Sequence, residues 1–153
     1  MDLRLTPEEV SFRDELRAWL AKNAPKDWAE WREKPLEESY PYLRAWQRKL
    51  HDGRWAAVSW PKEYGGRSAT LMQQSLFWEE MARVEAPPMA NSLGLGLIGP
   101  TIIACGTEAQ KKRFIPKILS AEEICARGSP NQMPAQILPA CKRKPSWMAI
   151  ITS

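Results

Sequence analysis

Residues 90–124 read ANSLGLGLIGPTIIACGTEAQKKRFIPKILSAEEI, and this stretch decides the fold. Its first half, up to Cys105, is free of charged side chains, whereas its second half mixes basic and acidic side chains with large apolar ones. Gly106 suits the left-handed residue that closes many helices, and Thr107 with Gln110 three residues later is a capping box, which opens a helix. The stretch therefore predicts a buried helix, a sharp end, and an amphipathic surface helix packed beside it.

Three longer helices are predicted before this stretch. Residues 6–9, Thr-Pro-Glu-Glu, form a capping box with proline at the first helical position. A second helix runs from about 38 to 52, and Thr70 with Gln73 opens a third. Apolar residues recur at helical spacing in all three helices: Phe12, Leu16, Trp19, Leu20, Leu43, Trp46, Leu50, Leu71, Met72, Phe77, Trp78, Met81 and Val84. No strand pattern of useful length occurs up to Ile124, so the predicted fold class is all-α, a bundle of about five helices with an irregular C-terminal tail.

The segment between the second and third helices, residues 53–70, reads GRWAAVSWPKEYGGRSAT and predicts an ordered loop rather than a linker. We expect its two tryptophans, Trp55 and Trp60, to be buried. Gly65 and Gly66 allow backbone angles that other residues avoid.

Two shorter features leave alternatives open. Residues 26–35 are polar with two tryptophans, and they fit either a loop or a short helix. Pro116 is expected to bend or shorten the last helix.

The one histidine, His51, falls at the C-terminal end of the second helix, where a charged imidazolium favours the helix dipole. Its predicted role is structural, because no nucleophile or base partner is visible near it.

The distribution of charge argues against a nucleic-acid-binding role. The chain has 22 basic and 18 acidic residues, a net charge of +4. Residues 125–153 hold four of the basic residues and no acidic one, so the first 124 residues are neutral overall. A binding surface for nucleic acid would place its excess charge on a folded face. We therefore expect no nucleic-acid partner.

Cysteine usage and hydropathy indicate a cytoplasmic protein. The three cysteines are Cys105, Cys125 and Cys141, and their odd number and spacing fit neither a disulfide framework nor a metal site. The N-terminus is charged and has no apolar core, so it is not typical of a signal peptide. The apolar run of residues 90–105 is shorter than the about 20 residues of a membrane span.

The run Gly94 to Gly99 matches the dinucleotide-binding pattern G-x-G-x-x-G. That pattern holds a pyrophosphate only between a strand and the helix that follows it. Here Pro-Pro-Met-Ala-Asn-Ser precedes it, which is not a strand, and Pro100 interrupts the segment. The glycines therefore indicate small residues that let helices or a ligand tail approach closely.

Three segments together resemble the N-terminal helical domain of the acyl-CoA dehydrogenase family. They are WAAVSWPKEYGG at residues 55–66, FWEEMARVEAP at 77–87, and the stretch from Asn91 to Ile124. The resemblance covers about residues 5–124. It implies a flavoprotein that oxidises an acyl-CoA thioester to the trans-2-enoyl-CoA.

In most members of this family the catalytic glutamate lies in a second helical bundle, and FAD is held with the help of a β-barrel domain. We assign no catalytic, cofactor-binding or metal-binding residue in this chain, because Glu8, Glu9, Glu79 and Glu80 are all expected on solvent-exposed faces. FAD is thus implied for intact members and not expected to be bound by this chain. The resemblance implies a fragment that is inactive alone.

The resemblance places residues 92–98 near the tail of the acyl group. The candidate substrate-binding residues are Leu93, Gly94, Leu95, Gly96 and Leu97. For each of them, simple helix packing is an equally open interpretation. A second function class is also open, a non-catalytic helical subunit that pairs with a separate flavoprotein in a homo- or hetero-oligomer.

After Ile124 the resemblance stops. Where the barrel begins, the family carries a signature like F-S-E-P-x-A-G-S-D, but this chain reads CARGSPNQMPAQILPACKRKPSWMAIITS. If the third base of each codon is joined to the next two, residues 128–137 permit F-S-E-P-N-A-G-S-D, and Trp147 to Ala149 force Asp-Gly, as in the family's L-D-G-D turn. We therefore expect a helical domain at 1–124 and an out-of-frame or disordered tail at 125–153, after a frameshift near codons 124–127.

Overall fold

The computed structural model describes residues 5–125, and its regular structure there is entirely helical. The six α-helices are α1 (Pro7–Asn23), α2 (Trp28–Arg32), α3 (Leu36–Asp52), α4 (Leu71–Arg83), α5 (Gly99–Cys105) and α6 (Glu108–Leu119). A 3-10 turn spans Lys62–Tyr64, and a π-helical turn, Gly94–Ile98, precedes α5. The all-α prediction is confirmed, and the short α2 forms in the segment for which loop and helix were both open.

The described residues fall into two compact units, divided between Ala90 and Asn91. The first unit contains α1 to α4, and the second contains the π turn, α5 and α6. The predicted tail lies outside the described residues, apart from Cys125.

The predicted capping boxes of the first unit form in full. In α1 the Thr6 hydroxyl accepts a hydrogen bond from the Glu9 N–H at 3.3 Å, and the Glu9 carboxylate accepts one from the Thr6 N–H at 2.8 Å. Thr70 and Gln73 make the same exchange at α4. Helix α3 begins before the predicted residue 38, because the Pro35 carbonyl already accepts hydrogen bonds from the next turn of backbone.

Aromatic rings form the centre of the first unit. Trp55, which is 1% exposed, packs edge-on against Phe12 at 5.4 Å between ring centroids and stacks on Phe77 at 6.4 Å. The indole of Trp46 is also buried, and its N–H donates to the Pro87 carbonyl at 2.9 Å. Because Trp55 belongs to the loop before α4, this loop is part of the core, as predicted.

Two features hold that loop in place. Arg67 lays its guanidinium over the Trp55 ring at 3.4 Å and donates two hydrogen bonds to the Glu15 carboxylate on α1. Gly65 has a φ of 84°, and a Cβ at Gly66 would lie 2.0 Å from the Trp60 carbonyl oxygen. Both glycines are therefore required by the backbone.

The predicted polar side of α4 is wrong at Glu80, which is 1% exposed. Arg17 of α1 donates two hydrogen bonds of 2.8 Å to its carboxylate. These hydrogen bonds hold the pKa of Glu80 below its usual value, although burial acts in the opposite direction. Glu80 can be buried as a charged side chain because Arg17 of another helix pairs with it. The local sequence pattern of α4 does not reveal this partner.

The predicted apolar side of α4 is also too wide. Phe77 and Met81 are buried as expected, together with Leu76. Four other residues from the predicted set are exposed: Leu71, Met72, Trp78 and Val84. Helix α4 therefore buries a narrow stripe, and in the described chain its remaining apolar residues face outward.

In the second unit, helical backbone runs from Ser92 to Cys105, close to the predicted helix. The prediction that this helix is buried is wrong in part, because Gly96, Leu97 and Cys105 are exposed. A proline ring clashes with the carbonyl four residues earlier in an α-helix, which for Pro100 is that of Gly96. The wider π turn before Pro100 relieves this conflict.

Gly106 also differs from expectation. Gly106 is extended, with a φ of −77°, rather than left-handed. Its N–H makes the last helical hydrogen bond of α5, to the Ile102 carbonyl at 2.7 Å, and its ψ of 155° then takes the chain out of the helix. A Cβ there would lie 2.5 Å from that carbonyl oxygen. Helix α6 opens with the predicted box of Thr107 and Gln110 and continues through Pro116 to Leu119.

The Arg17–Glu80 pair yields a stability prediction. We expect Glu80→Ala to lower the free energy of unfolding by about 2 kcal/mol, because buried hydrogen bonds to a charge are lost. The matched control is Glu79→Ala on the exposed side of the same helix, expected to change it by less than about 0.5 kcal/mol. Urea denaturation of the chain measures both.

The effect of Glu80 should also depend on pH. Its pKa is lower in the folded than in the unfolded chain, so its contribution is present above the unfolded-state pKa and is lost as pH falls through the folded-state pKa. The difference in free energy of unfolding between Glu80→Ala and the parent chain should therefore decrease at acidic pH. Equal destabilisation by the two alanine variants at neutral pH would contradict the assignment.

Candidate functional site

The candidate site that the sequence singled out, residues 92–98, contains the π turn Gly94–Ile98. Its widened geometry is defined by the Gly99 N–H, which donates to the Gly94 carbonyl five residues earlier. Single π turns inside α-helices are frequent at functional sites, because they re-aim the side chains of one turn.

The buried amide of Asn91 fixes where this turn begins. Its Oδ1 accepts hydrogen bonds from the Gly94 N–H at 3.2 Å and the Cys125 N–H at 3.0 Å. Its Nδ2 donates to the Ile118 carbonyl at 3.2 Å and the Glu123 carbonyl at 2.9 Å. Asn91 is therefore the cap of this helix and also ties it to the end of α6 and the turn that follows.

Sequence reasoning missed Asn91, although a signal for half of its role was present. Asparagine is among the preferred residues at the position before a helix, where its side chain accepts from the third helical N–H. That pattern fits Asn91 and Gly94. The bonds to Ile118, Glu123 and Cys125 depend on tertiary packing and leave no local trace.

Of the five predicted substrate-binding residues, two are buried, two are exposed and one is half-buried. Gly94 and Leu95 are buried, and Leu95 is 7% exposed. Gly96 and Leu97 face outward, with Leu97 41% exposed, and Leu93 is half-buried. The structure therefore separates two residues that pack the unit from two that offer an open apolar surface.

The two glycines of the turn serve different needs. A Cβ at Gly94 would lie 2.4 Å from Oδ1 of Asn91, so this position has room only for glycine. A Cβ at Gly96 would meet nothing within 4 Å. Packing thus accounts for Gly94, whereas Gly96 faces open space on the outer face of the turn.

The acidic residues considered as bases are held in ordinary roles. Glu8 and Glu79 are exposed, and Glu9 serves the α1 cap. Glu80 is held by Arg17 with a lowered pKa, which makes its carboxylate a poor proton acceptor. His51 lies at the end of α3 with Nδ1 3.3 Å from Oδ1 of Asp52.

Other kinds of site have little structural support within residues 5–125. That part of the chain contains no group of three or more His, Cys, Asp or Glu side chains placed to hold a metal ion. None of its helices has the length and apolar character needed to cross a membrane. In the first unit an open groove of about 390 Å³ lies between the end of α1 and the end of α4, lined by residues such as Leu20, Trp28 and Val84.

The described residues form an all-α domain with a glycine-rich π turn before α5. The family model "Acyl-CoA dehydrogenase, N-terminal domain" matches residues 6–122. The chain belongs to the acyl-CoA dehydrogenase family, and the matched part is the N-terminal domain.

Curated relatives agree with this assignment. Acyl-CoA dehydrogenase IpdE1 of Mycolicibacterium smegmatis is 39% identical over 127 residues, which is 79% of this chain and 32% of that protein. Acyl-CoA dehydrogenase FadE29 of Mycobacterium tuberculosis is 36% identical over 129 residues, which is 84% of this chain and 32% of that protein. The chain spans about a third of the length of the curated relatives it matches.

Solved structures share the fold. The ChsE4–ChsE5 complex from Mycobacterium tuberculosis contains a chain that is 31% identical with a TM-score of 0.65, covering 86% of this chain and 33% of that one. A chain of the Tcur3481–Tcur3483 steroid acyl-CoA dehydrogenase is 29% identical with a TM-score of 0.58, covering 82% of this chain and 32% of that one.

The division of the turn can be tested by truncating its leucines. We expect Leu95→Ala to lower the free energy of unfolding by about 2–4 kcal/mol, because it opens a cavity in the second unit. Leu97→Ala should cost less than about 1 kcal/mol, because Leu97 is already 41% exposed. Denaturant unfolding followed by amide exchange of residues 92–119 measures both, and the reverse order of effects would refute the assignment.

Proposed function

We propose that this chain is the N-terminal part of a flavin-dependent acyl-CoA dehydrogenase, and that the π turn supplies part of the wall around the acyl group. The observation that carries the proposal is the outward surface of Gly96 and Leu97, in a segment within the family match. Apolar surface left exposed by a domain often marks a ligand or domain interface.

The chemistry of this surface suits an acyl chain. Leu97 and the half-buried Leu93 offer apolar contact, and each Å² of such surface removed from water contributes about 25 cal/mol. Gly96 has no side chain, so it leaves room for an acyl group beside the turn. The turn offers no charged group, so it would bind the hydrocarbon part of the substrate and leave the thioester to other residues.

The described residues do not fit a flavin by themselves. Their buried polar side chains are engaged within the protein, as Asn91 is by four backbone groups and Glu80 by Arg17. Within residues 5–125, the one buried side-chain oxygen without a hydrogen-bond partner is Oε2 of Glu123, whose Oε1 accepts from Lys117. We therefore assign to this chain neither the flavin site nor the proton-abstracting base.

We also propose that the reading frame changes at codon 125. The shifted reading can be extended back, because Cys125–Ala126 permits TGC, Ala126–Arg127 permits CAG and Arg127–Gly128 permits GGG. It then joins the stretch that permits F-S-E-P-N-A-G-S-D. The structure supports native sequence as far as Cys125, whose N–H still donates to the buried Asn91 amide. Within the predicted tail of residues 125–153, the residues after Cys125 would then be out of frame.

The gene sequence tests this proposal directly. We expect nucleotides from codon 120 onward to encode the F-S-E-P signature one base out of frame and to continue open beyond it. Sequencing of the locus and of its transcript makes this test. A shifted frame that lacks the signature, or that meets an early stop codon, would contradict the proposal.

For the substrate, we propose a bulky alicyclic acyl-CoA. The support is twofold: a solved relative is described as a steroid acyl-CoA dehydrogenase, and Gly96 leaves the outer face of the turn open. A ring system needs more width at this wall than a straight chain does.

A large side chain at position 96 tests both the proposed acyl wall and the room that Gly96 leaves beside it. In the frame-restored protein we expect Gly96→Phe to lower kcat/KM for bulky or long acyl-CoA thioesters by about tenfold or more, with a smaller loss for butanoyl-CoA. The control is Ala18→Phe, a similar increase in size at an exposed position of α1, expected to leave the preference unchanged. An unaltered chain-length profile for Gly96→Phe would refute the wall assignment.

A second candidate function is a non-catalytic helical subunit that pairs with a separate flavoprotein. It is favoured by the structural relatives, two of which are complexes named for two different proteins. The exposed Trp78 and Leu71 of α4 would suit such pairing. The two candidates differ in one result: only under the second would the 153-residue chain, mixed with its partner, restore dehydrogenation.

A further inference from the structure

The Asn91 amide uses its full hydrogen-bonding capacity. A primary amide has two N–H donors and an oxygen with two lone pairs. Asn91 donates to the Ile118 and Glu123 carbonyls and accepts from the Gly94 and Cys125 N–H groups. It is 1% exposed, so water has little access to replace any of these bonds. No other natural side chain of this length offers two donors and two acceptors at once.

These four bonds connect two segments that are far apart in sequence. One segment is the first turn of the helix that contains the candidate wall. The other runs from the end of α6 to Cys125, at which the chain continues to residue 126. Gly94 makes the connection possible, because any Cβ there would occupy the space of the Asn91 amide.

We propose that Asn91 is a positioning residue, which sets the place of the π turn relative to the segment Glu123–Cys125. The inference rests on the proposed function of the turn as an acyl wall. In the frame-restored reading, the segment after Cys125 leads directly into the F-S-E-P-N-A-G-S-D stretch. Asn91 thus fixes the spacing between the wall for the acyl tail and the part of the protein that follows.

The two glycines of the π turn provide a matched pair for the test. In the 153-residue chain we expect Gly94→Ala to raise the hydrogen-exchange rates of the Ile98, Glu123 and Cys125 amides by about tenfold, because the Asn91 amide is displaced. Gly96→Ala makes the same change two residues later, in open space, and should leave these rates within about twofold. Exchange in α1, within the first unit, serves as the internal reference for both variants.

Asn91 itself is tested by a conservative variant whose hydrogen bonding changes with pH. The ionised carboxylate of Asn91→Asp accepts but does not donate, so it faces the Ile118 and Glu123 carbonyls unfavourably. The protonated form regains one donor. The neighbouring titratable groups are the Cys125 thiol and the Glu123 carboxylate, with Lys117 paired to the latter. Burial and the facing carbonyls should therefore raise the pKa of the new carboxyl above its unfolded value.

The sign of the pH effect follows from that raised pKa. The protonated variant should protect the π turn at low pH, and this protection should be lost as pH rises through the folded-state pKa. Exchange at Ile98, after correction for the intrinsic pH dependence, should then increase by about tenfold between pH 4 and pH 7 in Asn91→Asp and stay level in the parent chain. Asn91→Ala should lose protection at both pH values.

These measurements use no acyl ligand, so they fail independently of the proposed function. Similar exchange in Gly94→Ala and Gly96→Ala would overturn the positioning role, even if the wall assignment held. A flat pH profile for Asn91→Asp, with protection equal to the parent chain, would overturn it as well. Conversely, the expected exchange results with an unchanged acyl preference in Gly96→Phe would leave the positioning role intact and remove its link to the substrate.

Discussion

The second unit depends on one buried side-chain amide. Asn91 holds the start of the helical run and the end of α6 together through four hydrogen bonds to backbone groups. Backbone polar groups at helix ends need partners when they are buried, and here a single residue satisfies groups from both segments. The geometry of the candidate wall follows from this constraint, because Gly94 must stay free of a side chain and the turn must begin where the amide places it.

Pro100, which follows the π turn, is a second constraint on the same segment. Pro100 conflicts with a regular α-helix through the carbonyl of Gly96, and the widened turn accommodates it. The outcome is a turn with a packed inner side, including Leu95, and an open outer side at Gly96 and Leu97. In the proposed function, this apolar surface contacts the acyl group.

The sequence predicted the parts of the structure that are locally determined. All three capping boxes, at Thr6, Thr70 and Thr107, form as their spacing indicated. The burial of Trp55 and Trp60 was also expected. What the sequence did not reveal depends on partners from elsewhere in the chain. Glu80 is buried because α1 presents Arg17 to it.

The candidate site shows the same limit. The sequence offered residues 92–98 as the candidate, but the burial of Leu95 and the exposure of Leu97 depend on the π turn, which shifts the register of a regular helix. Gly106 was assigned the left-handed conformation because that is the commonest reason for glycine at this point. Its actual reason is close approach to the Ile102 carbonyl, a contact that no spacing rule predicts.

The most direct test of the account is a crystal structure of the frame-restored protein with a bound acyl thioester analogue. The account predicts acyl carbons within about 4.5 Å of Gly96 and Leu97, the distance of apolar contact, with the Asn91 amide bonded to Gly94 and Cys125. An acyl group bound at a distance from this turn, with Gly96 and Leu97 facing solvent or a neighbouring domain instead, would contradict it.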